Sequence, residues 1–220
     1  MNRPVGRRSL LATLGSLTGL AALELARPVS AFAERAHAPM PDGQWDLSWL
    51  DTLKGKHKQV FDTGNIDFGL LVVTNYLDAA QEVFGMSYPD VNTVMGIGHS
   101  AYPYNAKDEI WAKYEIGKRW KIKDPATDQW ATKNIFVEGT PRGKKVIGVK
   151  PLLARGTIFW QCNNALNGIV AEFAADTKQP VDQVRAELVA GLHSWVHLVP
   201  AHTLLIGLSQ EHGCTYESLG

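Results

Sequence analysis

The sequence lacks the motifs that identify the commonest nucleotide-binding and hydrolytic enzymes. Its 220 residues contain no G-x-G-x-x-G, no Walker motif and no G-x-S-x-G, so nucleotide and serine-hydrolase chemistry have no support. Cysteine is scarce, because Cys162 and Cys214 are the only two. The formal net charge is zero, and no stretch after the first 33 residues is apolar for long enough to span a bilayer. The residues that can carry unusual chemistry are therefore few.

The first 33 residues have the pattern of an export signal. Arg7 and Arg8 precede an apolar stretch that ends near Ala22, and residues 31–33 (Ala-Phe-Ala) supply a small-x-small cleavage pattern. Paired arginines before a mild apolar region are typical of twin-arginine export across a bacterial inner membrane. An uncleaved anchor is the alternative, but the apolar run is shorter than the roughly 20 residues that a spanning helix needs. We expect cleavage near Ala33 and a periplasmic mature protein.

Charge is unevenly distributed along the mature chain. Without residues 1–33 the net charge is −3, whereas residues 118–155 alone carry +7, from ten basic and three acidic residues. Such a basic segment fits an anionic partner, an acidic surface of the same or a neighbouring subunit, or a solvated insertion. We do not expect nucleic acid, because an exported protein with an acidic mature chain meets little of it. Lys144 and Lys145 are the candidate contacts for a small anion.

Strand-like and helix-like segments alternate after a tether. Residues 34–53 have the proline and glycine content of a tether, which Trp45 and Trp49 would dock. Residues 54–220 then form a single domain, with 118–155 as a basic insertion. The alternation predicts an α/β fold in which a mainly parallel sheet of about five strands is flanked by helices on both faces. The predicted strands are 59–62, 91–97, the segment that ends at Cys162, 196–199 and 214–217.

Cys162 is the residue at which the sequence most clearly predicts chemistry. It lies where a short apolar strand ends and a helix begins, and the polar residues Asn163 and Asn164 follow it. A thiol in this position is close to unpaired backbone N–H groups and to the positive end of the helix dipole, which favour the thiolate. An inert, partly buried cysteine is the alternative interpretation.

Two histidines are predicted at the same edge of the sheet. His99 and His202 each follow a predicted strand, as Cys162 ends one, and ligands of open parallel sheets bind at this carboxyl edge. An imidazole there could relay the thiol proton. The three side chains could also hold copper or zinc, although we expect no metal. His193 and His197 are four residues apart and resemble half of a metal site. They lack the Glu of a zincin motif, however, and would share one face of a strand.

Cys214 is predicted to lie far from Cys162. It opens the last predicted strand and therefore belongs to the opposite edge of the sheet. A strand of about five residues, at roughly 3.3 Å each, separates the edges by about 15 Å, whereas a disulfide needs Cα atoms within about 7 Å. Two cysteines in an exported protein would by default be paired. This geometry instead predicts free thiols, with Cys214 in the core.

Five segments occur in an order that is hard to obtain by accident. They are HKQVFD at 57–62, WAKY at 111–114, FWQCNNAL at 159–166, LVPA at 198–201, and 201–216 with its QEHG. In these segments the chain resembles the DsrE/DsrF-like sulfur-relay family, most closely its twin-arginine-exported members, over most of residues 54–220. It departs from the family pattern at His202, where a glycine is expected, and at Cys214, where an aromatic is expected.

The resemblance implies an α/β sandwich, usually assembled as a trimer or hexamer, with a cysteine at position 162 that carries sulfur as a persulfide. We therefore expect an exported sulfur carrier or sulfurtransferase that needs no cofactor. Its expected partners are a sulfur-donor or acceptor protein or a small sulfur anion. Cys162 would be catalytic, and six residues would contact the substrate: His99, His202, Asn163, Asn164, Lys144 and Lys145. The alternative is a non-catalytic oligomeric module that binds a ligand or partner at the same edge.

Overall fold

Five parallel strands form the central sheet of the computed structural model, which describes residues 45–64 and 66–220. The strands in chain order are β1 (His57–Thr63), β2 (Val91–Ile97), β3 (Thr140–Arg142), β4 (Lys145–Ile147), β5 (Ile158–Cys162), β6 (Val196–Val199) and β7 (Thr215–Ser218). The sheet has the order β6-β5-β2-β1-β7, while β3 and β4 pair separately as an antiparallel hairpin. Every pairing within the five-stranded sheet is parallel. The predicted parallel α/β fold is thereby confirmed.

Helices connect the strands and cover both faces of the sheet. They are α1 (Gly69–Phe84), α2 (Asp108–Lys113), α3 (Ile116–Arg119), α4 (Val149–Leu153), α5 (Asn163–Thr177), α6 (Val181–Ala190) and α7 (His202–Glu211). Two short 3₁₀ turns, Ser48–Thr52 and Tyr102–Tyr104, complete the described elements. Within the described ranges, no helix is both long and apolar enough to cross a membrane. The predicted export signal lies outside the described residues.

Alternation along the strands gives the sheet two different faces. Phe61, Met95 and Phe159 are neighbours in the strand register and pack against α1 and α4, with α5 and α6 covering the β5 and β6 end of this face. The residues one position earlier or later point to the opposite side. There Val60 and Trp160 pack against Leu205 of α7. We call these two sides the α1 face and the α7 face.

The end of the predicted tether packs on the α7 face. Trp49, Leu50 and Leu53 are buried in the same cluster as Trp160. The Trp49 ring lies 5.8 Å from the Trp160 ring and 5.4 Å from that of His197, centroid to centroid. Trp49 is therefore docked as predicted, Trp45 is only half-buried, and residues 34–44 of the predicted tether lie outside the described part of the chain.

Six of the ten basic residues in the basic segment form ion pairs with acidic groups of the same chain. Asp78 on α1 accepts Lys145 at 2.6 Å and Arg155 at 2.8 Å. Burial raises the pKa of Asp78, but the hydrogen bonds from these two cations outweigh it and hold that pKa below its ordinary value. Four more basic residues of the segment also have acidic partners: Lys118, Arg119, Lys123 and Lys150. Three of the five acidic partners, Asp78, Glu115 and Asp176, lie outside the segment, so part of its positive charge is paired with the rest of the same subunit.

Candidate functional site

Cys162 is both the last residue of β5 and the N-cap of α5. Its backbone stays extended, and its Sγ accepts the backbone N–H of Ala165 at 3.4 Å. The apolar residues before it favour a buried strand, and the two asparagines after it are compatible with a helix start. The thiol therefore occupies the position at which a side chain satisfies an N–H group in the first turn of a helix. The predicted strand-to-helix junction is confirmed.

A second helix start contributes another donor to the same sulfur atom. The backbone N–H of His202, the first residue of α7, donates to Cys162 Sγ at 3.2 Å. This approach follows from the sheet register, because Cys162 pairs with Val199 and α7 begins shortly after that residue. Both N–H groups lie at the positive ends of helix dipoles, so both favour negative charge on sulfur. Cys162 is only 4% exposed, which keeps competing water away from these contacts.

The imidazole of His202 lies away from the sulfur and is held by side chains from two strands. Trp160 Nε1 lies 3.2 Å from His202 Nδ1, and Asp62 Oδ1 lies 2.8 Å from His202 Nε2. The hydroxyl of Tyr216 donates to the other oxygen of Asp62, at 2.9 Å. His202 is thus brought to the thiol as predicted, but through its backbone. The predicted relay of the thiol proton by this imidazole is not supported by the geometry.

His99 lies in a different part of the structure from Cys162. Its Nε2 lies 3.0 Å from Glu172 Oε1, and its ring is stacked with Trp120 at 5.9 Å. These residues, with Ser100 and Arg119, line an open cleft of about 440 Å³. Glu172 is ten residues beyond Cys162 on α5, which corresponds to about 15 Å of helix. The structure therefore does not bring His99 to the thiol.

The asparagines and lysines predicted to contact substrate are also held elsewhere. The side-chain oxygen of Asn163 accepts Arg185 Nη2 of α6 at 2.7 Å, and Asn164 is exposed. Lys145 donates to Asn75 Oδ1 at 3.0 Å in addition to its ion pair with α1, and Lys144 lies beside it in the exposed turn between β3 and β4. The hairpin packs on α1, on the α1 face, whereas Cys162 points to the α7 face. The sheet thus separates the two lysines from the thiol.

His193 and His197 pack against different tryptophan rings. His193 precedes β6 and stacks on Trp195 at 4.0 Å, while His197 lies in β6 against Trp49. Burial lowers the pKa of both imidazoles. The prediction that the two rings share one strand face is wrong, because the strand begins only at Val196. Among the described residues, no group of three His, Cys, Asp or Glu side chains is arranged to hold a metal ion.

Four residues at the site were not predicted from the sequence, among them Trp160, which donates to His202 Nδ1. The carboxylate of Asp62 contacts the His202 ring with one oxygen and accepts the Tyr216 hydroxyl with the other. Gly96 leaves room for the ring. A Cβ at Gly96 would lie 2.4 Å from the Trp160 ring and 2.8 Å from His202 Cε1. An isolated glycine inside an apolar strand is a known sign of such a close approach. Asp62, a charged residue near the end of a strand, satisfied the same edge rule that selected His99.

Cys214 lies at the opposite edge of the sheet, as predicted. It directly precedes β7, whose first residue pairs with Gln59 near the start of β1. Both cysteines fall within the described residues, and both are free thiols. Burial raises the pKa of Cys214 to about 11, and nearby Lys58 offsets only part of that effect. Cys214 is a core residue with little tendency to ionise near neutral pH.

We expect a thiol reagent to modify Cys162 in preference to Cys214 near neutral pH. The two residues are similarly buried, at 4% and 6% exposure, so access alone gives no large difference. The thiolate is the reactive form, and only the Cys162 sulfur accepts two helix-terminal N–H groups in the described structure. Peptide mapping after treatment of the native protein with iodoacetamide measures the ratio, with denatured protein as the control for equal labelling. Preferential modification of Cys214 would contradict this assignment.

Comparisons with known proteins leave the family open. No protein-family model and no curated protein matches the chain. A solved structure, described as a protein of unknown function from Methanobacterium thermoautotrophicum, is similar with a TM-score of 0.38 and 14% sequence identity. The match covers 74% of this chain and 99% of that one. A likeness at this level carries no argument about function.

Proposed function

We propose that the protein carries sulfane sulfur on Cys162 as an exported sulfur carrier or sulfurtransferase. The observation that supports this proposal best is the pair of backbone N–H groups, from Ala165 and His202, that donate to one thiol sulfur. They belong to the first turns of two separate helices, α5 and α7. Such donors stabilise a thiolate before the reaction and a persulfide anion after it.

The chemical step needs a donor that already contains sulfane sulfur. With thiosulfate, the Cys162 thiolate attacks the outer sulfur atom and forms a new S–S bond. The existing S–S bond of thiosulfate breaks, and sulfite leaves with the electron pair. The cysteine persulfide retains one negative charge, so charge and electrons balance without a separate oxidant. The two N–H groups remain aimed at this end of β5 throughout the step.

Gly98 at the end of the neighbouring strand leaves open space at the same edge of the sheet. Gly98 follows Ile97, which pairs with Gln161, so Gly98 lies beside Cys162 at the carboxyl edge. No heavy atom lies within 4 Å of the position that a Cβ would take at Gly98. By strand alternation this open space belongs to the α7 face, to which the thiol also points. A terminal persulfide sulfur, or the outer atom of a donor, would fit there.

The proposal keeps the partners and location that the sequence predicts. The mature protein would exchange sulfur in the periplasm with a donor or acceptor protein or with a small sulfur anion, as a homotrimer or hexamer. The helix termini, rather than Lys144 and Lys145, would attract the anion, because those lysines lie over the other face of the sheet. The competing function is a ligand-binding module without chemistry, which the cleft beside His99 and Trp120 favours.

The deciding experiment is mass analysis of the purified protein after treatment with thiosulfate or polysulfide. A persulfide adds about 32 Da per sulfur atom and is removed by a reducing agent. Loading that maps to the Cys162 peptide supports the sulfur-carrier function. A protein that never gains sulfur, under conditions in which a small thiol forms its persulfide, would exclude this function and leave the binding module.

A further inference from the structure

We infer that His202 positions the Cys162 sulfur through its main chain, while Trp160 and Asp62 hold its imidazole in a single neutral tautomer. His202 is one of the two residues at which the chain departs from the family pattern that it resembles. The inference rests on the proposed function only in taking Cys162 as the reacting group. It assigns roles to Asp62, Trp160 and Tyr216 that the proposed function itself does not require.

The tautomer follows from the chemistry of the two ring partners. An indole N–H can only donate a hydrogen bond, so the Trp160 contact at 3.2 Å makes His202 Nδ1 the acceptor. The proton of the neutral imidazole is then on Nε2, from which it donates to Asp62 Oδ1 at 2.8 Å. Both ring nitrogens are therefore occupied, and neither contacts Sγ. His202 is consequently a positioning residue for the thiol and not its general base.

Trp160 and Asp62 hold this one side chain directly, and Tyr216 holds Asp62 in turn. Asp62 lies in β1, Trp160 in β5, and Tyr216 in β7, and the residue that they hold is the first of α7. Trp160 is completely buried, and the His202 side chain is 17% exposed. Hydrogen bonds in such surroundings are less weakened by water than those on the surface. The ring thus ties the start of α7 to the sheet.

The consequence for the thiol is geometric. The N–H that donates to Cys162 Sγ belongs to the same residue as the anchored ring. Fixing the ring therefore fixes the direction of this N–H group. The strength of its hydrogen bond to sulfur depends on that direction. A small side chain at position 202 would retain the N–H but would lose the anchor. We thus expect the sulfur to lose negative-charge stabilisation when any link between the ring and the sheet is cut.

The first measurement is ¹⁵N NMR of the histidine rings in the full mature protein. We expect His202 to have an unprotonated Nδ1 and a protonated Nε2, assigned by comparison with His202→Ala. A purely structural packing role would not select one tautomer. Protonation at Nδ1 in the native protein would overturn the inference, and this result does not depend on the stability of any other variant.

The second measurement is the thiolate fraction of Cys162 at fixed pH, read from ultraviolet absorbance with Cys162→Ser as the blank. We expect Trp160→Phe, which removes the N–H but keeps an aromatic ring, to lower the ratio of thiolate to thiol about fivefold. That factor corresponds to a hydrogen bond of about 1 kcal/mol. His212→Ala is the matched control, because His212 follows the other end of α7 and contacts Leu208 O there. It should leave the ratio unchanged.

These outcomes separate the inference from the proposed function. Both measurements are made without a sulfur donor, so a protein that fails to form a persulfide can still show the expected tautomer and thiolate ratios. In that case the positioning role stands, and the sulfur-carrier function fails. An unchanged ratio in folded Trp160→Phe would overturn the positioning role, whether or not Cys162 loads sulfur.

Discussion

Replacing Cys162 by Ser is expected to abolish sulfur loading while the fold is retained. A persulfide needs the sulfur atom, so the parent protein should gain about 32 Da for each transferred sulfur atom and the variant none. Serine is a favourable N-cap residue, and its hydroxyl can accept the Ala165 N–H that Sγ accepts in the parent. We therefore expect the free energy of unfolding to change by no more than about 1 kcal/mol. Mass spectrometry and denaturant unfolding measure the two effects.

Cys214→Ser is the matched control for this experiment. Cys214 is the other buried thiol, and it lies at the amino edge of the sheet, away from both helix-terminal donors. The control should load sulfur as the parent does, although it places a hydroxyl in the core. Sulfur that appears on Cys214, or loading that survives in Cys162→Ser, would show that the thiol at the carboxyl edge is not the carrier.

Gly96→Ala is expected to destabilise the protein by roughly 1–3 kcal/mol, as overpacking of a core does. The added methyl group would lie 2.4 Å from the Trp160 ring and 2.8 Å from His202 Cε1, well inside van der Waals contact. Trp160 is completely buried and cannot move without disturbing the α7 face. The His202 ring must then shift, which also breaks its link to Asp62. The denaturant midpoint should fall, with the slope of unfolding unchanged.

Gly98→Ala provides the comparison two residues further along. No heavy atom lies within 4 Å of the position for its Cβ, so the substitution should change the free energy of unfolding by no more than about 0.5 kcal/mol. The two variants differ in surroundings and not in chemistry. Equal losses of stability in both would mean that the close contact between Gly96, Trp160 and His202 does not exist in solution.

The sequence predicts the fold well because local patterns determine most of it. Alternating strand and helix signals require parallel strands with crossover helices, and glycine or proline residues mark several ends, such as Gly85 after α1. The position of Cys162 could also be predicted from nearby residues, since an N-cap is defined by its immediate neighbours. A helix start is visible in a few residues, whereas the contacts of a side chain depend on the order of the strands.

The partners of His202 show where sequence reasoning fails. Asp62 is 140 residues away from it along the chain, and the two meet because α7 packs on the same face as the end of β1. Edge rules place His99 and His202 at similar positions, but they do not say which way each ring turns. His99 turns toward Glu172 and Trp120, where a hydrogen bond and a ring contact hold it.

The charge of the basic segment did not identify residues beside the thiol, for a related reason. Composition counts charges but not their partners, and six of its ten basic residues pair with acids of the same chain. Asp78 alone pairs with two of them, Lys145 and Arg155. Part of the positive charge in residues 118–155 therefore holds this segment to the rest of the domain.

The position of α7 and β7 late in the chain gives the site an order of assembly during synthesis. A ribosome makes Cys162 and α5 before it makes the His202 N–H, its imidazole or Tyr216. A nascent chain that ends before residue 196 thus has a sulfur with one helix-terminal donor and neither the second donor nor the anchor. The thiol acquires its full surroundings only when α7 and β7 have joined the sheet, so its chemistry depends on completion of the domain.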